Sequence, residues 1–415
     1  MMKILSDNKR SGCLWLTLFT NFLFTLHGGD ILREVDERLY VESSDGFYRA
    51  DLSGLLDLEG YYYDGRPPGL IHPDDSYLFN PRLSLFLDSV VGDHVYAFAQ
   101  VRLDRGFDPG YFDEAELRLD EYLIRYSPFD EGQLHFQVGK FATFFGDYVP
   151  RHLSWDNPFV TGPLVYENIT NVADVRTSNS PSDFLNRRYR ALGDNKKLWV
   201  PAIWGPVYNS GIAMFGTLES FDYAVEFKNS ALSSRPHDWS WTSRGWEDPS
   251  YAARIAYSPS AAWYVGTSAA YGAYLNEDLV IPGGADPGDF DQLTWGMDAG
   301  YIHGHWQLRG EAVATRFEIP NVGNVEILGY HVEARRKWNA RLFTAVRWNQ
   351  QFFDEILDNA GQPMRWDSNA WRTDVAAGYR IHSHVQLKFQ YSYLHQNNDL
   401  QKCENLAALQ MTLKF

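Results

Sequence analysis

From about residue 47 to its end the sequence repeats one pattern, segments of about 10–14 residues in which apolar and polar side chains alternate. That period of two belongs to β-strands, whose successive side chains point to opposite faces. Leu83, Leu85 and Leu87 alternate with Arg82, Ser84 and Asp88; Val95, Ala97, Ala99, Val101 and Leu103 alternate with Gln100, Arg102 and Asp104. Later, Trp306, Leu308, Ala312 and Ala314 alternate with Gln307, Arg309, Glu311 and Thr315, and Val385, Leu387, Phe389, Tyr391 and Tyr393 with Gln386, Lys388, Gln390 and Ser392. Each segment presents one apolar face and one polar or charged face. A soluble β-sandwich also alternates, but its strands usually run about 5–6 residues, whereas a tilted membrane-spanning strand needs about 9–11. Charges such as Arg102, Asp104, Arg309 and Glu311 sit mid-strand on the polar face, the place for them when that face borders a water-filled lumen.

About sixteen such segments can be counted, near 47–62, 78–90, 94–105, 114–127, 132–143, 208–219, 221–231, 249–258, 261–274, 291–303, 305–318, 324–336, 340–352, 369–381, 384–395 and 404–415. An even number suits a closed antiparallel barrel with no exposed edge. Short connections such as VGDH (91–94), SPFDEG (127–132), SPSA (258–261), HGH (303–305), KWNA (337–340) and HSH (382–384) take turns with long ones, notably 63–77, 144–207, 232–248, 275–290 and 353–368. Short turns on one rim and long loops on the other are the mark of outer-membrane barrels, and a sandwich has no reason to keep that rhythm.

A mean hydropathy of -0.37 is too polar for a bundle of transmembrane helices, each needing about 20 apolar residues in a row. With 37 Lys and Arg against 53 Asp and Glu, the net charge of -16 argues against nucleic acid as a partner. Cys13 and Cys403 are the two cysteines, too few for a disulfide scaffold or a thiolate zinc cluster. Residues 1–27 read as a secretory signal peptide: Lys3, Lys9 and Arg10, then an apolar run from Leu14 to Leu26 too short to span a membrane, then Gly28 and Gly29. Residues 28–46 form a short acidic lead-in, leaving no room for a plug domain, and 47–415 form a single barrel domain. Sixteen strands fall in the size class that leaves an aqueous channel.

The chain ends LAALQMTLKF, with Leu409, Met411, Leu413 and the terminal Phe415 on one strand face. This ending resembles that of bacterial outer-membrane barrels, in which a last strand closing on a terminal Phe is read by the barrel insertion machinery. The general porin pattern covers the whole mature chain. Over residues 80–146 the run NPRLSLFLDSVVGDHVYAFAQVRLDRG, followed by LRLDEYLIRYSPFDEGQLHFQVGKFATFFG, is similar to the phosphate-selective porin-like family. The resemblance implies an outer-membrane location, a channel for anions along rows of Arg and Lys, and a homotrimer. This chain departs from it by placing an acid beside its inward arginines, as in Arg102/Asp104, Arg118/Asp120 and Arg372/Asp374.

The expected fold is thus an all-β transmembrane barrel of about 16 strands, and the expected function is passive diffusion of small polar or charged solutes. An export channel for a polysaccharide or other polymer is the alternative. Arg82, Arg102, Asp104, Arg118, Asp120, Arg309, Glu311, Glu333, Arg335, Arg347, Arg372, Asp374 and Lys388 are the candidate lining residues. The connection 144–207, the third long one, is rich in large apolar side chains, among them Trp155, Phe159, Tyr166, Phe184, Trp199 and Trp204, that would not be left in water. In trimeric porins the corresponding loop folds into the lumen, so the resemblance implies the same here; the alternative is a compact extracellular cap. Its basic cluster, Arg187, Arg188, Arg190, Lys196 and Lys197, is a candidate anion-attracting lip or simply a solvated surface. The pairs His303/His305 and His382/His384, and Asp286, Asp289 and Asp291, are better read as polar turn and loop residues than as metal ligands. His152 with Ser154 and His382 with Ser383 lack a third partner for nucleophilic catalysis, so neither an enzyme nor a cofactor is expected.

Overall fold

The alternating segments form sixteen antiparallel strands, each hydrogen-bonded to the next. In chain order they are β1 (Tyr48–Tyr63), β2 (Tyr77–Val91), β3 (Val95–Asp104), β4 (Glu116–Tyr126), β5 (His135–Phe141), β6 (Asn209–Leu218), β7 (Phe221–Lys228) and β8 (Ser250–Ser260). There follow β9 (Trp263–Ala273), β10 (Asp291–His303), β11 (Trp306–Ile319), β12 (Gly323–Lys337), β13 (Leu342–Phe353), β14 (Ala370–His382), β15 (Val385–Gln396) and β16 (Cys403–Lys414). β16 pairs with β1, from Leu406 opposite Tyr63 to Lys414 opposite Leu55, so the sheet closes on itself and no edge is left. The structure is a computed structural model and describes residues 39–64, 69–71, 76–107, 109–110, 112–187, 198–236, 245–397 and 403–415. The signal-peptide assignment, most of the lead-in, and Arg188, Arg190, Lys196 and Lys197 lie outside the described residues.

The two faces of the wall follow the sequence parity. On β11 the outward side chains from Trp306 through Leu308, Gly310 and Ala312 to Ala314 are apolar, while Arg309, Glu311 and Thr315 point inward. Eight residue steps at about 3.3 Å, tilted by about 40°, give a band roughly 20 Å tall, near the apolar height of an outer-membrane barrel, about 25 Å. Exposed aromatic residues ring it at both ends: Tyr126, Trp263, Tyr301, Trp306 and Trp338 on the short-turn side, Tyr62, Tyr77, Tyr251 and Tyr271 on the other. Rings of this kind mark the two membrane interfaces, and the short turns mark the periplasmic rim.

The seam is sealed by the last residue. Phe415 exchanges backbone hydrogen bonds with Gly54, at 2.7 and 3.1 Å, and its ring lies so close over Gly54 that a Cβ there would come within 2.5 Å of it. Tyr40–Glu42 adds a short strand to the start of β1, and a hairpin of Glu355–Leu357 with Pro363–Arg365 occupies the connection read from sequence as a plain loop.

Three details depart from simple alternation. β5 is 7 residues long and stops at Phe141 rather than at 143, because there the chain leaves the wall for the interior. β7 stops at Lys228, short of 231. Asp120 is the extra residue of a β-bulge, since Glu121 faces Gln100 and Leu119 faces Val101, so two successive acids serve the inner face of β4.

Candidate functional site: the lumen and its inward segment

Phe141 leads into the longest connection, residues 142–208, which crosses the barrel rather than rising from its rim. Thr143 and Phe144 bond Glu226 of β7, Gly146 bonds Ser268 of β9 (3.1 Å), and Asp147 meets Arg309 of β11 (2.9 Å). Gly146 is required at this crossing: its φ is +75° and a Cβ would come within 2.1 Å of Glu311 Oε1. Farther on, Arg151 binds Glu333 of β12 (2.5 Å) and Tyr166 donates to Glu311 (2.8 Å). Lys388 of β15 donates to three backbone carbonyls, of Ser154 (2.7 Å), Asn157 (2.9 Å) and Phe159 (3.0 Å). Arg347 of β13 takes the carbonyls of Thr161 (3.0 Å) and Gly162 (2.8 Å), and Arg372 of β14 takes that of Gly162 and pairs with Glu167 (3.3 Å).

Beyond residue 168 the segment turns toward the long-loop side. Asn171 holds Trp366 and Asp367, Asn276 bonds Asp174 (2.8 Å), Asn321 bonds Ser178 (3.1 Å), and Trp204 bonds Leu232 (2.8 Å). Phe184, Trp204, Phe353 and Trp366 are buried in one apolar cluster there. The lumen reading and the cap reading therefore each describe one half of the connection.

All thirteen candidate lining residues face the interior, but they do four different things. Arg309, Glu311, Glu333, Arg347, Arg372 and Lys388 grip the inward segment, as described. Asp374 braces two of these, Arg347 and Arg372, each at 2.9 Å. Arg82, Arg102, Asp104, Arg118 and Asp120 form a network on the wall itself. Arg82 pairs with Asp57 (3.0 Å) and Glu59 (2.7 Å), two acids of β1 that the sequence reading passed over although they share the inward parity. Arg102 and Asp104 were expected to pair along one strand; instead Arg102 binds Asp120 (3.2 Å) and Arg118 binds Asp104 (2.5 Å), across β3 and β4. Arg102 and Arg118 face each other in register, so each reaches diagonally to an acid of the other's strand, and the two carboxylates offset the repulsion of the facing cations. Arg118 and Asp120 do pair within β4, at 3.2 Å.

Burial sets the chemistry of this layer. Asp104, Arg118, Asp120, Glu311, Glu333, Arg347, Arg372, Asp374 and Lys388, nine of the thirteen, are each exposed by less than 5%. In this conformation Glu311, Glu333, Arg347, Arg372 and Lys388, with Asp374 bracing two of them, tie the wall to the segment, and Asp104, Arg118 and Asp120 tie strand to strand, so the nine do not form a solvated lining. Arg335, the last of the thirteen, differs: its guanidinium lies 4.1 Å from the ring of Phe343. Arg335, Lys337, Arg380 and Lys414 are inward cations near the short-turn rim with no carboxylate within 4.0 Å among the described residues. Trp155 of the segment stacks beneath two of them, 5.2 Å from Arg380 and 5.7 Å from Lys414. Parity could have flagged Lys337, Arg380 and Lys414, but their lack of partners is visible only in the fold.

Of the basic cluster, Arg187 is described, and it is buried between the rings of Phe184 and Trp199, each 5.5 Å away. Burial, reinforced by nearby Arg176, lowers its pKa to about 10. His152 has no nitrogen left for Ser154, since one contacts the Val149 carbonyl (2.6 Å) and the other the Tyr208 hydroxyl (2.7 Å). His382 contacts Ser383 (3.1 Å) in an exposed turn, and Asp286 caps the turn at Gly288 (2.8 Å). Among the described residues no three His, Cys, Asp or Glu side chains come together to hold a metal.

No known protein family and no curated protein matches the sequence. Solved structures do match the fold. An anion-selective porin from Comamonas acidovorans superposes with a TM-score of 0.55 at 12% identity, covering 89% of this chain and all (100%) of that one. The outer membrane channel DcaP of Acinetobacter baumannii gives 0.52 at 12% identity, over 90% and 99% of the two chains. The trimer form of OmpT, an outer membrane protein of Vibrio cholerae, gives 0.52 at 11% identity, over 89% and 99%. The chain has the porin-like fold of outer-membrane barrels. Its apolar outer band and aromatic rings place it in the outer membrane.

Proposed function

We propose that this protein is an outer-membrane channel for passive diffusion of small polar or charged solutes, with its inward segment setting the constriction. The observation that carries this reading is a closed sixteen-stranded barrel with a charged inner wall and a segment tied across it by Arg309, Glu333, Arg347, Arg372 and Lys388. We further propose a preference for anions. It is supported by Arg335, Lys337, Arg380 and Lys414 at the periplasmic mouth, which have no carboxylate within 4.0 Å among the described residues, whereas the deeper arginines are neutralised by acids. The likeness of residues 80–146 to phosphate-selective porins does not add to this support, because Arg102 and Arg118 of that stretch are paired with acids.

The experiment is single-channel conductance and reversal potential in a planar bilayer under a salt gradient, before and after Arg335→Gln with Arg380→Gln. Conductance with an anion-selective reversal potential that falls toward zero in the variant is the expected result. Conductance unaffected by the two substitutions would remove the selectivity assignment. No conductance at all would remove the diffusion reading and favour polymer export. A homotrimer belongs to the same proposal, supported by the trimeric OmpT neighbour, as does handling by the barrel insertion machinery through the strand ending at Phe415.

A further inference from the structure

Beneath the inward segment, on the periplasmic side, a cavity of about 560 Å³ lies against β3 to β8. Tyr96 and Phe98 from β3, Phe215 from β6, and Phe144 and Leu153 from the segment make its walls largely apolar. Most charges at its border are engaged. Glu121 accepts from the Ala142 amide (2.7 Å), Asp222 from the Thr217 hydroxyl (2.7 Å), and Arg254 is paired with Asp298.

Arg125 is the exception. Its guanidinium is sandwiched between Tyr96 and Phe215, 5.0 and 4.9 Å from the ring centres. Nε and Nη2 both donate to Gln137 Oε1, at 3.1 and 2.9 Å, leaving Nη1 without a protein partner among the described residues. No carboxylate lies within 4.0 Å of it there, and Asp88 is held by the Tyr96 hydroxyl. The aromatic faces and a neutral amide fix the orientation of this cation without cancelling its charge, and a guanidinium edge so held matches a carboxylate.

We propose that the cavity binds a small organic anion with a flat apolar body, an aromatic carboxylate, its carboxylate at Nη1 of Arg125 and its ring among Phe98, Phe144 and Phe215. The volume falls within the range of about 300–1,000 Å³ common for small-ligand sites. One cation amid aromatic walls favours such a molecule over a hydrated inorganic anion, which needs several donors. This deepens the channel reading by naming a class of solute, and it rests on that reading for its biological meaning.

The test is ¹⁹F NMR titration of the folded protein in detergent micelles with 4-fluorobenzoate, a readout that does not depend on conductance. Saturable binding is expected, competed by benzoate and weakened at least tenfold by Arg125→Gln. Arg125→Lys, which keeps the charge but loses the planar fork, should fall between. Undiminished binding to folded Arg125→Gln barrels would overturn the assignment. If that variant does not fold, the unaltered protein still decides: 4-fluorobenzyl alcohol binding as well as 4-fluorobenzoate, or inorganic phosphate competing as well as benzoate, would overturn it. A conductance failure combined with saturable 4-fluorobenzoate binding would sink the channel reading and leave this site standing.

Discussion

Replacing Lys388 with Met would cut three hydrogen bonds between wall and segment at once. The ammonium is 1% exposed and is satisfied by the carbonyls of Ser154, Asn157 and Phe159 at 2.7–3.0 Å. Methionine fills similar space but donates nothing, so three buried acceptors lose their partner, at about 1–3 kcal/mol each. Part of that is offset because an ammonium no longer has to be desolvated. A net loss of about 2–4 kcal/mol follows, which shifts the docked-to-released equilibrium of this stretch by about 30- to 700-fold. Arg151 lies just ahead of the stretch and is a trypsin site, held by Glu333 and Asp147 (3.2 Å). Cleavage of a transiently opened segment tracks its open population, so Lys388→Met barrels should be cut after Arg151 at least tenfold faster than the unaltered protein, with the barrel still folded by heat-modifiable migration. Equal cleavage rates in the two folded proteins would refute the idea that these bonds hold the segment in place.

Three further outcomes are expected. Burial lowers the pKa of His152 to about 4, with Arg102 and Arg82 adding to the effect, so the stability this group gives the docked segment is full above about pH 6.5 and is lost as pH falls through about 4. At about 1.36 kcal/mol per unit the effect is at most about 3 kcal/mol; conductance should rise on acidification in this window, and a His152→Asn protein with the same pH profile would count against it. Val332→Arg puts a charge on the lipid-facing side of β12 and should cost about 2–4 kcal/mol near the midplane, read by urea unfolding in vesicles; no loss would contradict the outward assignment. Gly54→Val would drive a side chain into the ring of Phe415 and should cost about 1–3 kcal/mol by thermal unfolding, with Phe415→Ala restoring part of it; a harmless Gly54→Val would disprove the tight seam.

The strands could be read from sequence because each buries nothing but its own parity: lipid on one side and the lumen on the other impose a period of two from Tyr48 to Lys414. Where another force intervened, the reading failed locally. The bulge at Asp120 answers to the charges of Arg102 and Arg118, which alternation does not encode. The early end of β5 answers to Phe144, Thr143 and Gly146 finding partners on β7 and β9, contacts over more than a hundred residues of chain for Gly146 and Ser268. The aromatic content of residues 144–207 signalled packing but not against what. Cross-strand partners such as Arg118 and Asp104 depend on register, which becomes available only once neighbouring strands are aligned.

The inward cations also divide by what they hold, in a way their shared parity conceals. A segment that crosses a lumen without joining the sheet carries backbone carbonyls with no ladder to bond, and burying them requires donors from elsewhere. Arg347, Arg372 and Lys388 supply donors to the carbonyls of Ser154, Asn157, Phe159, Thr161 and Gly162, so these charges are committed to holding the chain. Arg125, Arg335 and Lys337 have no such duty, and Arg380 and Lys414 meet the segment through the ring of Trp155 without bonding its carbonyls; all five lie toward the short turns. Neutralising a cation of the first group should change whether the segment stays docked, and therefore conductance. Neutralising one of the second should leave the segment docked and change which solutes are drawn in. Trypsin cleavage after Arg151 and reversal potential, measured on the same variants, separate the two groups; a selectivity change that always accompanied faster cleavage would show that the division is wrong.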